Sequence, residues 1–509
     1  GGPSPTQYNA YAAFLLGLTD NTQKGLQYIL ATGREWQFGW YVADRWQVSQ
    51  KLTVNVGLRY ELYPLMTRAG YGIERYDPST NLVYMGGRGN VPENAGISVS
   101  HKLFAPRLGI AYRLDDKTVI RTGYGINFDP IPFSRPLRGW YPLTVGSSQL
   151  APNGFAAVST LAQGMPEVVG PDVSTGIVPM QNTADERSPY TYIHRGYIQS
   201  WNFTIERKLP SNFLLSAGYV GTHSVHLLAD NNLNNSVPGT GTAGLPYYKL
   251  YGRTASTLMW DGYLSSEYHS LQVAINRSFA NGLLIKGAYT WSKAIDYTDD
   301  DGWASVSWND PTQFQRNRAT AGFDRTNVFQ MAWVYDLPFG KGKKMLNSGP
   351  VAYAVGGWQL NGIMSAYTGT PFTVGGSAAI FNAVNNTQTA NQVKPVVAKL
   401  GGIGPGQYYY DITAFAPVTT ATYGNSGRDI LRYPGIANCD LSLFKVIPIR
   451  EKIQAQFRAE AFNVTNTAHF ITTGGGSPFS STNVSSGSFM QITSASGERQ
   501  FRFGLRLQW

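Results

Sequence analysis

The sequence predicts an all-β fold, a transmembrane antiparallel β-barrel with about thirteen strands visible, and three observations predict it. Apolar and polar residues alternate with a period of two over stretches of about ten residues, the length of a tilted strand that crosses a bilayer. The connections between these stretches are tight turns and long loops in alternation. Charged residues make up only 14% of the 509 residues while aromatics reach 13%, against about 25% charged in an ordinary soluble domain. That composition excludes a disordered chain, which needs high charge and few aromatics.

The alternation is clearest at 51–62. Leu52, Val54, Val56, Leu58, Tyr60 and Leu62 share one face; Lys51, Thr53, Asn55, Gly57, Arg59 and Glu61 share the other. Successive side chains of a strand point to opposite faces, so one face is greasy and the other wet. The same pattern places strands at 35–48, 51–62, 103–114, 118–128, 197–209, 213–222, 267–279, 283–294, 324–337, 356–368, 439–447, 451–464 and 498–509. Arg59, Arg113, Glu206, Gln456 and Arg458 fall on wet faces, and Leu58, Tyr112, Ile205 and Phe457 on greasy ones. Gly and Ala are frequent among the wet-face charges, as a crowded lumen requires.

Tight turns are expected at Ser49-Gln50, Asp115–Lys117, Pro210–Asn212, Ala280–Gly282 and Pro448–Arg450. Long loops are expected at 63–102, 129–196, 223–266, 295–323, 369–438 and 465–497, and 338–355 is intermediate. All six long connections exceed the roughly 15 residues usual in compact domains. Short turns at one end and long loops at the other distinguish a membrane barrel from a soluble sandwich. Trp40, Trp46, Tyr63, Trp201, Trp291, Trp358 and Trp509 sit near strand ends, where membrane–water interfaces favour aromatic rings. Residues 1–34 read as an outer loop segment or an incomplete strand, and 35–509 as barrel strands.

Other classes find little support. The longest apolar run, Ala12–Leu18, is broken by Gly17 and falls far short of the ~20 residues of a spanning helix. A single cysteine, Cys439, excludes an intrachain disulfide and a cysteine zinc cluster. No basic stretch followed by an apolar run opens the chain, so no signal peptide is expected in it, and Gly1-Gly2-Pro3-Ser4-Pro5 reads as the middle of a longer sequence. The net charge is +10, but the arginines are scattered singly along strands. The one basic run, Lys341-Gly342-Lys343-Lys344, reads as a solvated turn, so no nucleic-acid partner is expected. Polar faces lining a wet interior account for the charge, with contact to anionic lipid headgroups as a second source.

Few residues suggest chemistry. His223 and His226 would fall on opposite faces of an extended segment, with no third ligand near. Asp299, Asp300 and Asp301, with Asp296 nearby, form an oxygen-rich loop that is a candidate for holding calcium, but it lacks the spacing of a helix–loop–helix calcium site, and a solvated outer loop is the simpler reading. Gly401–Gly406 lacks the Lys-Ser/Thr of a phosphate loop. No catalytic constellation is found, so no enzyme and no cofactor are expected. The loop aromatics Trp140, Tyr141, Trp260, Trp303 and Trp308 are candidates for stacking on a ligand, with loop packing as the alternative.

Several blocks resemble a known family. They are Tyr41-Val-Ala-Asp-Arg-Trp46, Tyr289-Thr-Trp-Ser-Lys-Ala-Ile-Asp296, Phe323-Asp-Arg-Thr-Asn-Val-Phe329, Tyr335-Asp-Leu-Pro-Phe-Gly340 and Gly356-Gly-Trp-Gln-Leu-Asn-Gly362 with Thr370-Pro-Phe-Thr373. Further on come Gly424-Asn-Ser-Gly-Arg-Asp-Ile-Leu-Arg432, Asp440-Leu-Ser-Leu-Phe-Lys445 and Phe457-Arg-Ala-Glu-Ala-Phe-Asn463. In their order, from about residue 8 to the C-terminus, these are similar to the Oar-like group of TonB-dependent outer-membrane receptors, abundant in acidobacteria. The resemblance implies a plugged barrel of about 22 strands, of which this chain supplies the C-terminal part. It also implies a location in the outer membrane of a Gram-negative bacterium and energised uptake of an unidentified solute. The implied partners are outer-membrane lipid and lipopolysaccharide, a TonB-type energising complex acting through N-terminal parts, and the barrel-assembly machinery. Phe501, Phe503, Leu505, Leu507 and Trp509 resemble the C-terminal signal that machinery reads. Surface adhesion, protein secretion and a passive pore are the competing roles.

Overall fold

The computed structural model describes residues 7–19, 21–133, 135, 137, 140–150, 157–165, 167–299, 305–450, 453–470 and 477–508. Its centre is one antiparallel sheet whose main path has thirteen strands in chain order. These are β1 (Phe38–Gln47), β2 (Leu52–Leu62), β3 (Leu103–Arg113), β4 (Thr118–Phe128), β5 (Tyr197–Leu209), β6 (Phe213–Asn232), β7 (Thr257–Ala280), β8 (Leu283–Asp296), β9 (Asn327–Asp336), β10 (Trp358–Tyr367), β11 (Ile436–Arg450), β12 (Ile453–Phe462) and β13 (Gln500–Gln508). The short strands Glu186–Pro189 and Ala319–Thr320 add to β7 and β8. Among the described residues β1 and β13 each pair on one side only, and every residue of both strands is exposed.

The register converts the sequence alternation into two continuous surfaces. One row of directly opposed residues runs Leu52, Tyr112, Ile120, Ile205, Ala217, Val273, Tyr289, Phe329, Ala366 and Ala437. The next row on the opposite face runs Arg113, Val119, Glu206, Ser216, Ala274, Ala288, Gln330, Ser365 and Asn438. The first row is apolar throughout; the second is polar or small except at Val119. Both rows begin at the tight-turn end of the early strands and finish at the long-loop end of β10 and β11. The strands are therefore staggered, which is the shear that curls a sheet into a barrel.

Aromatic rings gather on the apolar face near the long-loop end. Trp40, Tyr60 and Phe104 stand on neighbouring strands with ring centroids 5.9 and 4.8 Å apart. Trp201 and Trp291 are on the same face at that end, and Trp46 and Trp358 lie on it near the tight turns. Tyr63 departs from the expectation: it is buried in the loops under the Arg195 guanidinium, because the chain leaves the sheet at Leu62. Trp509 lies outside the described residues.

Three connections differ from the sequence reading. The segment 223–266 is not all loop: β6 and β7 continue through it as a paired ribbon to Asn232 and Thr257, with register shifts around Val225 and Leu227. Alternation is lost at those shifts, and the strand signal in the sequence is lost with it. Pro448–Arg450 is not a turn but the end of β11, opposed to Gln454 and Ile453 across an irregular pairing. The intermediate connection contains a short helix, Gly349–Val355, opened by Pro350 in its first turn.

Most buried apolar side chains lie in the loops rather than the sheet. One cluster joins Phe372, Val374, Tyr409, Tyr410, Phe415, Phe479, Phe489 and Met490 from two long loops. A second holds Met66, Ile73, Val91, Ile97, Ile131, Ile193 and Trp260, and a third Tyr76, Val83, Met85, Tyr141, Leu143, Val178 and Met259. The loops thus form a packed layer over one end of the sheet, with a hydrophobic core of their own.

Candidate functional site

The polar face of the sheet is a wall of paired charges and small residues. Arg59 donates to Glu61 at 2.6 Å, Arg121 to Glu206 at 3.2 Å and Arg107 to Asn127 at 2.7 Å. Arg59 and Arg121 are thus paired with carboxylates along the wall, whereas Arg107 is met by a neutral amide. Toward β7–β10 the side chains shrink. Ala274, Ala288, Ala332 and Ser365 leave a hollow of about 420 Å³ edged by Asn276, Lys286 and Gln330.

The loop layer is held by buried arginines. Arg68, 1% exposed, makes a two-point pair with Glu74 and donates to the Thr32 carbonyl at 2.8 Å. Arg253, fully buried, donates to Thr257 Oγ1 at 2.7 Å and to the carbonyls of Gln181 and Ser256 at 2.7 and 2.9 Å. Asp230, also fully buried, joins Arg135 at 2.5 Å and Arg187 at 3.2 Å. Removing Asp230 would leave two guanidinium groups uncompensated, a change that costs about 3–5 kcal/mol in buried networks. Arg428 gathers Asp296, Asp299 and Asp429, and Arg432 pairs with Asp324.

Burial also shifts the carboxyls outside the strands that cross the sheet. Glu186 is enclosed with no hydrogen-bond partner for either oxygen. Its pKa is pushed well above the ordinary carboxyl range, first by burial and then by Glu74, with Arg253 opposing. Asp129 and Asp429 are raised by burial, against the pull of Arg195 and Arg428 respectively. The Tyr63 hydroxyl is pushed up to about 12, by burial first and by Glu61 second.

The loop aromatics fall into two groups. Trp140 lies under Arg187 and Trp260 under Arg135, so the shared Asp230 joins their neighbourhoods. Tyr141 packs in the third cluster and donates to the Pro179 carbonyl at 3.0 Å. Trp308 stands apart, fully buried beneath Arg316, its Nε1 donating to Thr387 at 3.0 Å. Trp260, Trp308 and Tyr141 therefore act as packing rings in this arrangement. Trp303, Asp300 and Asp301 lie outside the described residues. Asp299 is engaged by Arg428 and by the Gly322 amide.

His223 and His226 are not brought together. His223 faces Glu267 at 3.8 Å, whereas His226 stacks on His194 and contacts the Gly262 carbonyl through Nδ1 at 3.0 Å. No group of three or more His, Cys, Asp or Glu among the described residues is arranged to hold a metal. Most arginine pairs of the loop layer escaped the sequence reading because their partners are far apart in the chain, Arg135 and Asp230 by 95 residues and Arg428 and Asp296 by 132, whereas Arg68 and Glu74 are six apart.

A family model described as an outer membrane beta barrel domain matches residues 1–502. None of the curated proteins matches the chain. Among solved structures it is similar to the ferripyoverdine receptor of the outer membrane of Pseudomonas aeruginosa, with 12% identity, 94% of this chain and 39% of that one covered, and a TM-score of 0.42. It is similar to the ferric enterobactin receptor of the same bacterium, with 9% identity, coverage of 93% and 44%, and a TM-score of 0.44. It is also similar to the ferric-catecholate import receptor of E. coli K12, with 11% identity, coverage of 94% and 45%, and a TM-score of 0.40. The chain spans less than half the length of each of these receptors.

Proposed function

The chain belongs to the outer-membrane β-barrel domain family, and from that premise we propose that it supplies the C-terminal strands of a TonB-dependent, Oar-like receptor that takes up a solute through a plugged lumen. The protein resides in the outer membrane, its apolar face toward lipid and its polar face toward the lumen. The observation that carries the reading is the edge that β1 and β13 each leave unpaired among the described residues. An unpaired strand in lipid leaves backbone groups unsatisfied at several kcal/mol each. Both edges therefore call for further strands, in line with a wider barrel than thirteen strands enclose.

The long loops face outward, and the arginine-cemented layer they form is the surface that meets the solute. Trp40, Trp46, Trp201, Trp291 and Trp358 serve as interface anchors. In full-length receptor, uptake should stop when the energising inner-membrane complex is deleted. Uptake that persists without the complex would identify a passive pore, and a receptor that moves no solute but loses cell–cell adhesion on deletion would identify an adhesin.

A further inference from the structure

Two imidazoles meet where β6 and β7 run on into the loop layer as a ribbon. The pairing of these strands shifts between Val225 and Leu227, and His226 at the shift has a left-handed backbone, φ +56°. A bulge re-aims a side chain, and a non-glycine residue keeps such a backbone only where its surroundings impose it. Here they do. The His226 ring stacks on that of His194, with centroids 5.1 Å apart and 21° between planes. His194 follows Ile193, which is fully buried in the second loop cluster. A Cβ on Gly262 of β7 would stand 2.4 Å from the carbonyl oxygens of both histidines, so only glycine lets the three segments close.

Both rings are held by the same nitrogen. His194 Nδ1 meets Asp261 Oδ2 at 2.7 Å, and His226 Nδ1 meets the Gly262 carbonyl at 3.0 Å. A carboxylate and a carbonyl only accept, so in each uncharged ring the proton sits on Nδ1 and Nε2 carries a bare lone pair. Neither Nε2 has a hydrogen-bond partner among the described residues. Asp261 is fixed in turn by the amides of His194 and Gly262, both at 2.7 Å. Arg195, next in the chain, turns away: its guanidinium lies over the Tyr63 ring and donates to the Tyr63 carbonyl at 3.0 Å. Among the described residues no lysine or arginine pairs with Asp261, and the His194 side chain is 46% exposed. The rings are thus open to a cation, with a carboxylate behind one of them. His226 lies fourteen residues past Asn212 at the tight turn. At about 3.3 Å per residue and a tilt near 40° that is roughly 35 Å of height, above the apolar band of about 25 Å. That height rests on the membrane reading of the sheet; the ring geometry does not.

We propose that His194 Nε2 and His226 Nε2 together bind a divalent ion of the zinc, nickel or copper class, with Asp261 orienting His194 from behind and the remaining positions taken by water. Ligating histidines characteristically donate their other nitrogen to a carboxylate or a backbone carbonyl, which fixes tautomer and ring direction, and both forms are present here. Imidazole donors suit these metals, whereas calcium and magnesium call for oxygen. Two nitrogens on one tetrahedral ion stand about 3.3 Å apart at bonds of about 2.0–2.1 Å. The stacked rings therefore close at their Nε2 edges when the ion enters, pivoting on the anchored Nδ1 atoms.

The test titrates Zn²⁺ alone into chelator-stripped, full-length receptor in mild detergent, followed by calorimetry. Wild type should show a site that His194→Gln and His226→Gln each weaken at least tenfold and Asp261→Asn weakens about tenfold, as loss of an orienting partner does. His223→Gln, three residues from His226 and facing Glu267, should leave it unchanged. Unchanged Zn²⁺ affinity in a heat-modifiable, folded His226→Gln protein would overturn the proposal, as would an equal loss in His223→Gln. If the bulge does not tolerate His226→Gln, Cu²⁺ bound to wild type decides. Electron paramagnetic resonance should show hyperfine structure from two imidazole nitrogens, and fewer than two would overturn the proposal. Labelling of Tyr192→Cys, at a position 41% exposed, from outside intact cells checks the height separately. Outside labelling without Zn²⁺ binding fails the site alone; binding without outside labelling keeps the site and fails the membrane orientation.

Discussion

The indole of Trp333 lies across Gly362 on the neighbouring strand, so closely that a Cβ on the glycine would stand 2.1 Å from ring atom Cζ2. Trp201 covers Gly221 in the same way, at 2.6 Å. Glycine weakens a strand by offering nothing to pack, and a ring folded over the bare backbone from the next strand repairs that loss. These pairs sit on the apolar face, so each large ring lies flat against the sheet surface.

Gly362→Ala should therefore force the Trp333 ring off the sheet and destabilise the folded barrel by about 1–3 kcal/mol, as overpacking does. Gly504→Ala, where a Cβ would meet nothing within 4 Å, should be close to neutral. Urea unfolding from lipid vesicles checks both, and equal effects would refute the packing role of the ring.

Glu186 gives the loop layer a pH dependence with a definite sign. Its folded pKa is raised, so the folded state keeps a proton that the unfolded state loses above the ordinary carboxyl pKa. Stability should thus fall as pH rises from about 4 toward the elevated folded value. Glu186→Gln should raise the melting temperature of the loop layer at pH 8 and leave it unchanged near pH 4. A variant stabilised equally at both pH values would contradict the assignment.

The final strand should be needed for assembly, since its apolar face runs through Phe501, Phe503, Leu505 and Leu507. Deleting residues 507–509 from the full-length protein should leave it unfolded or degraded in the periplasm. Trimming three residues from the 465–497 loop should not. Normal membrane insertion of the first variant would refute the role.

Orientation is testable with two exposed positions. Val396, 75% exposed, lies in a long loop, and Asp116 lies in the turn between β3 and β4. Cysteines at these sites should label from opposite sides of the outer membrane, Val396→Cys from outside intact cells and Asp116→Cys only after the periplasm is opened. Labelling of both from outside would reverse or break the strand map.

The sheet was legible in the sequence because its signal is local: alternation within ten residues shows which face each side chain takes, as at Leu58 and Arg59. The ribbon beyond His223 was not legible, since the shifts around Leu227 break the period. The loop layer was illegible for a different reason. Its order comes from pairs such as Arg135–Asp230 and Arg432–Asp324, which only folding brings together. Trp260 and Trp308 look like exposed loop rings until their cationic lids, Arg135 and Arg316, are placed over them. His269 and Lys293 break the greasy pattern of β7 and β8 only near the end of the apolar band, where a sequence pattern gives no depth.

The central claim is that the two faces of this sheet meet different solvents, and a cysteine scan of β7 from Gln272 to Asn276 tests it most directly. In full-length receptor in native membranes, Gln272, Ala274 and Asn276 should react with a water-borne thiol reagent when the lumen is accessible. Val273 and Ile275 should resist it and respond instead to a quencher dissolved in the lipid. A period of two in these five positions is the predicted result; uniform reactivity, or protection of all five from both probes, would contradict the barrel account and favour a sheet buried between protein layers.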